Sequence, residues 1–309
     1  MSLLLGNRRH RGLLLAAVLV FGGLFGVPAA SKSETLDDLH PGLSLGLIRN
    51  ARLGDLEKGV VCTAGDKRVT GEALNAAVDE ESGALSEQLG KNLLFMLDQH
   101  LMRLLLQEEA KKEGIPETLS EDEAIGKLLN KQAGKVSVDD SELPPAYEAI
   151  RETLGGVPFE QVKEALRDYL LKEKQSQAVG EYLAGLGSDI DITLDKQWTE
   201  KQAEIMLDNP VDRARASGIP TLVEFGAAGC GPCDMMQPIL EKLRKKYGGK
   251  LNVVFIHVGE EQVLGARYGI SSIPVQAFFD ASGTEVTRHV GFYPEAEVEK
   301  ILAEMGVNS

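Results

Sequence analysis

Cys230-Gly231-Pro232-Cys233 constrains this chain more than any other stretch. The apolar run Thr221-Leu222-Val223-Glu224-Phe225 before it reads as a buried strand, and a helical pattern follows from Met235 to Tyr247. A cysteine pair at a strand-to-helix junction points to redox chemistry. The first thiol sits where unpaired helix N–H groups and the macrodipole favour an anion, which lowers a thiol pKa and raises the thiolate fraction. The second, one turn deeper, can attack a mixed disulfide and release the bound partner. Half a zinc site and two core cysteines are the other readings of these residues. Zinc requires two more ligands, and the sequence offers Cys62 and five scattered histidines.

The chain has 309 residues and a formal net charge of -14, which argues against nucleic acid as a partner. The charge is uneven: residues 31–210 carry net -15, residues 211–309 net -2 and residues 1–30 net +3. That positive start is a targeting segment. Arg8, Arg9 and Arg11 precede an uncharged apolar run from Gly12 to Val27, and Pro28-Ala29-Ala30 supplies small residues for cleavage. The run is shorter than the roughly 20 residues a spanning helix needs, so cleavage is the first expectation and an N-terminal anchor the second. Either one places the rest of the chain in the periplasm, soluble after cleavage or tethered to the inner membrane. Cys62, in the apolar run Gly59 to Thr63, is left outside the pair. It reads as a small core residue, or as a third redox thiol.

Residues 31–57 mix Ser, Gly, Pro and charge without clear period and read as a linker with one short helix. Val60–Thr63 and Lys67–Thr70 flank the turn Ala64-Gly65-Asp66, and Thr70 is a helix N-cap candidate. Leucines at three- and four-residue spacing from Leu85 to Leu105 predict one helix from about residue 83 to Gly114. Ser120-Glu121-Asp122-Glu123 is a capping box, and Gly134 closes the helix it opens. Further helices start near Val138 and at Pro158-Phe159, the last ending near Gly187. Asp189 to Leu194 alternates like a strand and is expected to pair with the strand near Val61. Val60 to Thr70, the Ala110-Lys111-Lys112-Glu113-Gly114 helix end and the Phe159–Leu183 helix together resemble the SurA-type periplasmic chaperone domain. The likeness covers residues 58–195 and implies a mostly α-helical arm that could hold unfolded polypeptide. Trp198 to Asp208 reads as a bridging helix, and the remaining domain is set at 196–309.

From residue 211 the pattern alternates strand and helix: strands at 220–225, 251–258, 275–280 and 284–290, helices at 230–247, 260–267 and 294–305. With Cys230-Gly231-Pro232-Cys233, Pro238, Ser272-Ile273-Pro274 and Gly291 at the family intervals, this resembles the α/β thioredoxin fold. The resemblance implies that Cys230 is the nucleophile and Cys233 the resolving thiol of a redox-active disulfide. It implies a cis Ile273-Pro274 bond, with the Ile273 backbone, Pro274 and Gly229 contacting substrate. Glu224 falls where the family holds a buried acid that moves protons for the resolving thiol. Burial of a carboxylate on an apolar strand raises its pKa, which suits that role near neutral pH.

The chain departs from the family beside the cysteines. Gly229 and Gly226 stand where two aromatics are usual, and Asp234 follows Cys233. The lysine that usually accompanies the buried acid falls at Phe255, and His257 and His289 read as structural strand residues. A Gly-Pro pair between the cysteines resembles the reducing thioredoxins, whose potential lies near about -270 mV, and implies a protein-disulfide reductase or isomerase without cofactor or metal. The implied partners are disulfide-bearing or unfolded exported proteins and an upstream thiol reductant, and the arm leaves a homodimer open. A holdase with a secondary redox domain, and an assembly factor dedicated to one partner, are the competing expectations.

Overall fold

The computed structural model describes residues 34–44, 46–151 and 155–308. The targeting segment expected at 1–30 lies outside them. Among the described residues no helix is long and apolar enough to cross a membrane.

The stretch expected to be a linker, 31–57, instead carries structure from residue 34 on. Helix α1 (Leu36–Leu39), a 3-10 turn (Leu47–Asn50) and strand β1 (Arg52–Gly54) follow one another, and Leu36, Leu43 and Ile48 are buried. Three apolar residues without a period give no helix or strand signal. A long-range bond fixes them: the buried Asp98 carboxylate accepts the Ile48 N–H at 3.0 Å. Gly46 is required there, because a Cβ would fall 1.9 Å from Asp98 Oδ2.

Strands β2 (Val60–Ala64) and β3 (Lys67–Thr70) form the expected hairpin, with Gly65 at φ 59° in the turn. Thr70 caps helix α2 (Gly71–Asp79), its hydroxyl accepting the Ala73 N–H. The single helix expected from 83 to Gly114 is two, α3 (Gly83–Gly90) and α4 (Leu93–Lys112). The break falls after Gly90, where Asn92 Nδ2 donates to the Gln88 carbonyl at 2.7 Å and competes with the helical ladder. Helix α5 (Glu121–Ala133) opens on the Ser120/Glu123 capping box and ends at Gly134. Helices α6 (Leu143–Ile150) and α7 (Phe159–Gly185) complete the arm, α7 packing Tyr182 and Leu183 against Leu106 and Leu128.

Strand β4 (Ile192–Asp195) pairs antiparallel with β2, Cys62 opposite Leu194, as the alternation at 189–194 predicts. It also pairs parallel with β1, giving a four-stranded mixed sheet ordered β1-β4-β2-β3. The N-terminal region is therefore helices plus a small mixed sheet. Helix α8 (Lys196–Leu207) buries Ala203 and Met206 in the same core as Leu36, Leu97 and Leu194. It belongs to the first core, and the boundary expected at 195/196 moves beyond residue 207.

Helix α9 (Pro210–Arg215) opens the second core. Strand β5 (Thr221–Gly226), helix α10 (Gly231–Lys246), strand β6 (Asn252–His257), helix α11 (Gln262–Arg267), strands β7 (Val275–Phe279) and β8 (Glu285–Val290) and helix α12 (Glu295–Glu304) follow. The sheet order is β6-β5-β7-β8, with β5 parallel to β6 and antiparallel to β7. The two-residue period of β5 divides its faces. Leu222 packs with Met236, Leu240 and Val298 from α10 and α12, while Val223 and Phe225 pack with Val211 and Leu264 from α9 and α11. Each such buried aliphatic side chain contributes about 1.5–3 kcal/mol. The cores meet at α11, where Gln88 Nε2 donates to Glu260 O at 2.6 Å and its Oε1 accepts the Val263 N–H at 3.1 Å.

Candidate active site

Strand β5 ends at Gly226, and the chain turns through exposed Ala228 and Gly229 into the first turn of α10. Gly229 has φ 77° and open space around its Cα, so the turn needs a residue without a side-chain penalty there. Cys230 is the N-cap of α10, with Pro232 in the first turn behind it. Its sulfur accepts the Cys233 N–H at 3.3 Å, so an orphan donor of the helix end is spent on Sγ. Cys230 is half-buried and Cys233 is 1% exposed, and the two are joined as a disulfide with 5.2 Å between their Cα atoms. A half-buried first cysteine and a covered second one give the pair distinct roles.

The peptide bond Ile273-Pro274 is cis. Val275, the next residue, pairs with Phe225, so Pro274 lies at the same end of the sheet as the turn carrying Cys230. The Pro274 carbonyl accepts the Gly291 N–H at 2.8 Å, which ties the end of β8 to that loop. Pro238 lies inside α10.

Glu224 is fully buried and does not reach solvent. It shares the α10-facing side of β5 with Gly226, whose added Cβ would sit 3.4 Å from Cβ and Sγ of Cys233. Glu224 is one two-residue step from Gly226, roughly 6.6 Å along the strand. Phe255 is its register partner on β6, and the same added Cβ would lie 3.0 Å from the Phe255 ring. The aromatic missing at Gly226 is thus replaced in space by one from the neighbouring strand. Burial raises the Glu224 pKa to about 7, against a lowering hydrogen bond from Gln276.

That shift carries a stability prediction. Between pH 4.5 and 7 the folded chain keeps a proton that the unfolded chain has released, so stability falls as pH rises through this window. The fall from this group is on the order of 3 kcal/mol. Glu224→Gln should remove it: in urea unfolding, the wild type loses about this much relative to the variant between the two ends of the window. Parallel pH profiles would contradict the assignment.

Two further residues shape the site. Gln276, opposite Glu224 on β7, interrupts an apolar strand in the phase that faces α10, and that interruption was the available signal. His257 Nε2 accepts the Ala228 N–H at 3.0 Å, so this strand histidine pins the turn before Cys230. Asp234 is exposed on the first turn of α10. Cys62 is fully buried on β2 in the other core, and burial pushes its thiol up to about 12. It remains a protonated core thiol, away from the redox pair.

A model of the thioredoxin family matches residues 208–304. Over 86 residues the chain is 36% identical to thioredoxin 1 of a Nostoc species, spanning 28% of this chain and 79% of that protein. The chain belongs to the thioredoxin family. The thioredoxin of Staphylococcus epidermidis is 37% identical over 95 residues, spanning 31% of this chain and 89% of its own. Among solved structures, a mutant thioredoxin from Halobacterium salinarum aligns over 32% of this chain and 84% of its own, at 28% identity and a TM-score of 0.29. The family match falls on the second core, and Cys230–Cys233 is the CxxC pair of a thioredoxin-type thiol–disulfide oxidoreductase.

Proposed function

We propose that this chain is an exported protein-disulfide reductase or isomerase. The observation that carries the reading is the N-cap sulfur of Cys230, accepting the Cys233 N–H, with Cys233 buried behind it. When the disulfide is opened, that N–H and the helix terminus favour an anionic sulfur at Cys230. The thiolate attacks one sulfur of a substrate disulfide, an S–S bond forms between them, and the other substrate sulfur leaves as a thiolate. Cys233 then passes its proton to the Glu224 carboxylate and attacks Sγ of Cys230. The second substrate sulfur leaves, the substrate has gained two electrons, and the Cys230–Cys233 disulfide is restored for an upstream dithiol to reduce.

Export rests on the basic, apolar and small-residue succession of residues 8–30. The substrates are then exported proteins that carry disulfides or are unfolded. The likeness of residues 58–195 to a SurA-type domain, and the exposed Tyr169 on α7, support an arm that holds such chains.

Cys233→Ala tests the reading. The variant cannot resolve its mixed disulfide and should accumulate covalent, dithiothreitol-sensitive adducts at Cys230 with exported proteins. Their absence under conditions where the full-length variant is folded and reduced would count against a protein substrate. A single adduct would favour an assembly factor dedicated to one partner.

A further inference from the structure

Glu224 and Gln276 face each other across β5 and β7, and both are fully buried. Gln276 Nε2 donates to Glu224 Oε2 at 2.8 Å. The other oxygen of each group, Glu224 Oε1 and Gln276 Oε1, is buried with no hydrogen-bond partner. Two orphan acceptors on side chains already joined by one bond are costly. A proton on Glu224 Oε1 satisfies both, since the acid O–H then has the Gln276 carbonyl oxygen to donate to, and acid and amide close a cyclic pair.

Among the described residues no charged side chain acts on this carboxyl. Across β6 its partner is Phe255. On α10, Cys233 lies 3.4 Å from the Cβ position of Gly226 on the same strand face, and Met236 lines the core there, its Sδ accepting the Tyr293 N–H. His257, two residues past Phe255 on the same strand, has Nε2 engaged with Ala228. Asp234 points to solvent. A buried carboxylate with neither cation nor donor would stay protonated through neutral pH and accept nothing.

We propose that Gln276 is a positioning residue of the dithiol reaction: its neutral amide stands in for a cation, bonding the carboxylate through Nε2–H and the acid through Oε1, so that Glu224 can take up the Cys233 proton and release it again. The inference rests on the dithiol reading proposed above. Burial and the Gln276 bond act on Glu224 in opposite directions and leave it at about 7, in the range where it can cycle.

The test uses the reduced full chain and a chromogenic aromatic disulfide. Release of the first aromatic thiol reports attack by Cys230, and release of the second reports resolution by Cys233. The second rate is recorded against pH, and the Glu224 carboxyl is titrated in the oxidised chain by ¹³C NMR. Gln276→Leu should move both midpoints up by about one unit or more and slow the second release about tenfold at pH 7, without slowing the first. Gln276→Met, unbranched and without a donor, should do the same if the leucine variant folds poorly. Glu224→Gln should remove the midpoint. Adding Phe255→Lys to Gln276→Leu places an ammonium on the strand beside Glu224 and should bring the midpoint back down. If Glu224→Gln removes the midpoint while Gln276→Leu and Gln276→Met leave it unmoved, the Gln276 proposal is overturned and the dithiol reading stands. If wild type releases no second thiol, both fall together.

Discussion

Replacing Cys230 with serine should bring insulin reduction by the full chain down to the uncatalysed rate. The loss is chemical, with little structural component. Serine is among the favoured N-cap residues, so its hydroxyl can accept the Cys233 N–H that the sulfur now accepts, and α10 keeps its start. The hydroxyl is not ionised at neutral pH by a helix terminus alone, and it cannot form the S–S bond on which electron transfer depends. Cys233 cannot substitute for it, being 1% exposed and closed to a macromolecular disulfide. The expected pattern is no turnover, unchanged circular dichroism and no mixed disulfide. Turnover within tenfold of wild type would assign the nucleophile elsewhere, and the remaining thiol, Cys62, is itself fully buried.

Asp212→Ala should destabilise the chain by about 3–5 kcal/mol, because it breaks a buried ion pair by removing one partner. The Asp212 side chain is 2% exposed and sits between Arg215 and Arg267, whose side chains are 13% and 4% exposed. It accepts from Arg215 at 3.0 Å, from Arg267 at 3.0 Å, from the Tyr268 hydroxyl at 2.6 Å and from Asn209 at 2.6 Å. Removing it leaves two guanidinium groups buried with no carboxylate between them. The damage spreads, because Arg215 Nε also holds the Gly283 carbonyl and Arg267 the Met206 carbonyl at the end of α8. Urea unfolding measures the change. Lys242→Ala is the control: its pair with Glu295 is solvent-exposed, and its loss should cost no more than about 1 kcal/mol. Equal effects would mean that the buried cluster relaxes or admits water.

The contrast between these residues shows what could be read in one dimension. The strand, turn and helix around Cys230 are local: an apolar run, glycines, a proline in the first helical turn and an amphipathic continuation each announce themselves within a few residues. The same holds for the Thr70 and Ser120 caps and for the alternation at 189–194. Residues 34–57 carry no local signal of their structure, because their three core side chains have no period and the Asp98–Ile48 bond that orders them spans 50 positions. The extent of α8 could be read, but not its allegiance, since Ala203 and Met206 could face either neighbour. The break between α3 and α4 depends on one Asn92 bond within an otherwise continuous leucine pattern.

Sequence alone determined the chemistry of the Cys230–Cys233 pair, because a helix begins where a strand ends and a sulfur at that junction meets unpaired N–H groups. The family resemblance also implies the acid at Glu224 and the position beside it at Phe255, by intervals counted from Cys230 and Pro274. Only the tertiary structure decided what surrounds that acid. Gln276 reaches it across 52 residues of chain through the register of β5 and β7, Phe255 through the register of β5 and β6, and no cation comes with either. The protonation chemistry of a buried group is set by neighbours that strand pairing brings together, and the pairing of β5 with β6 and β7 joins residues far apart in the chain.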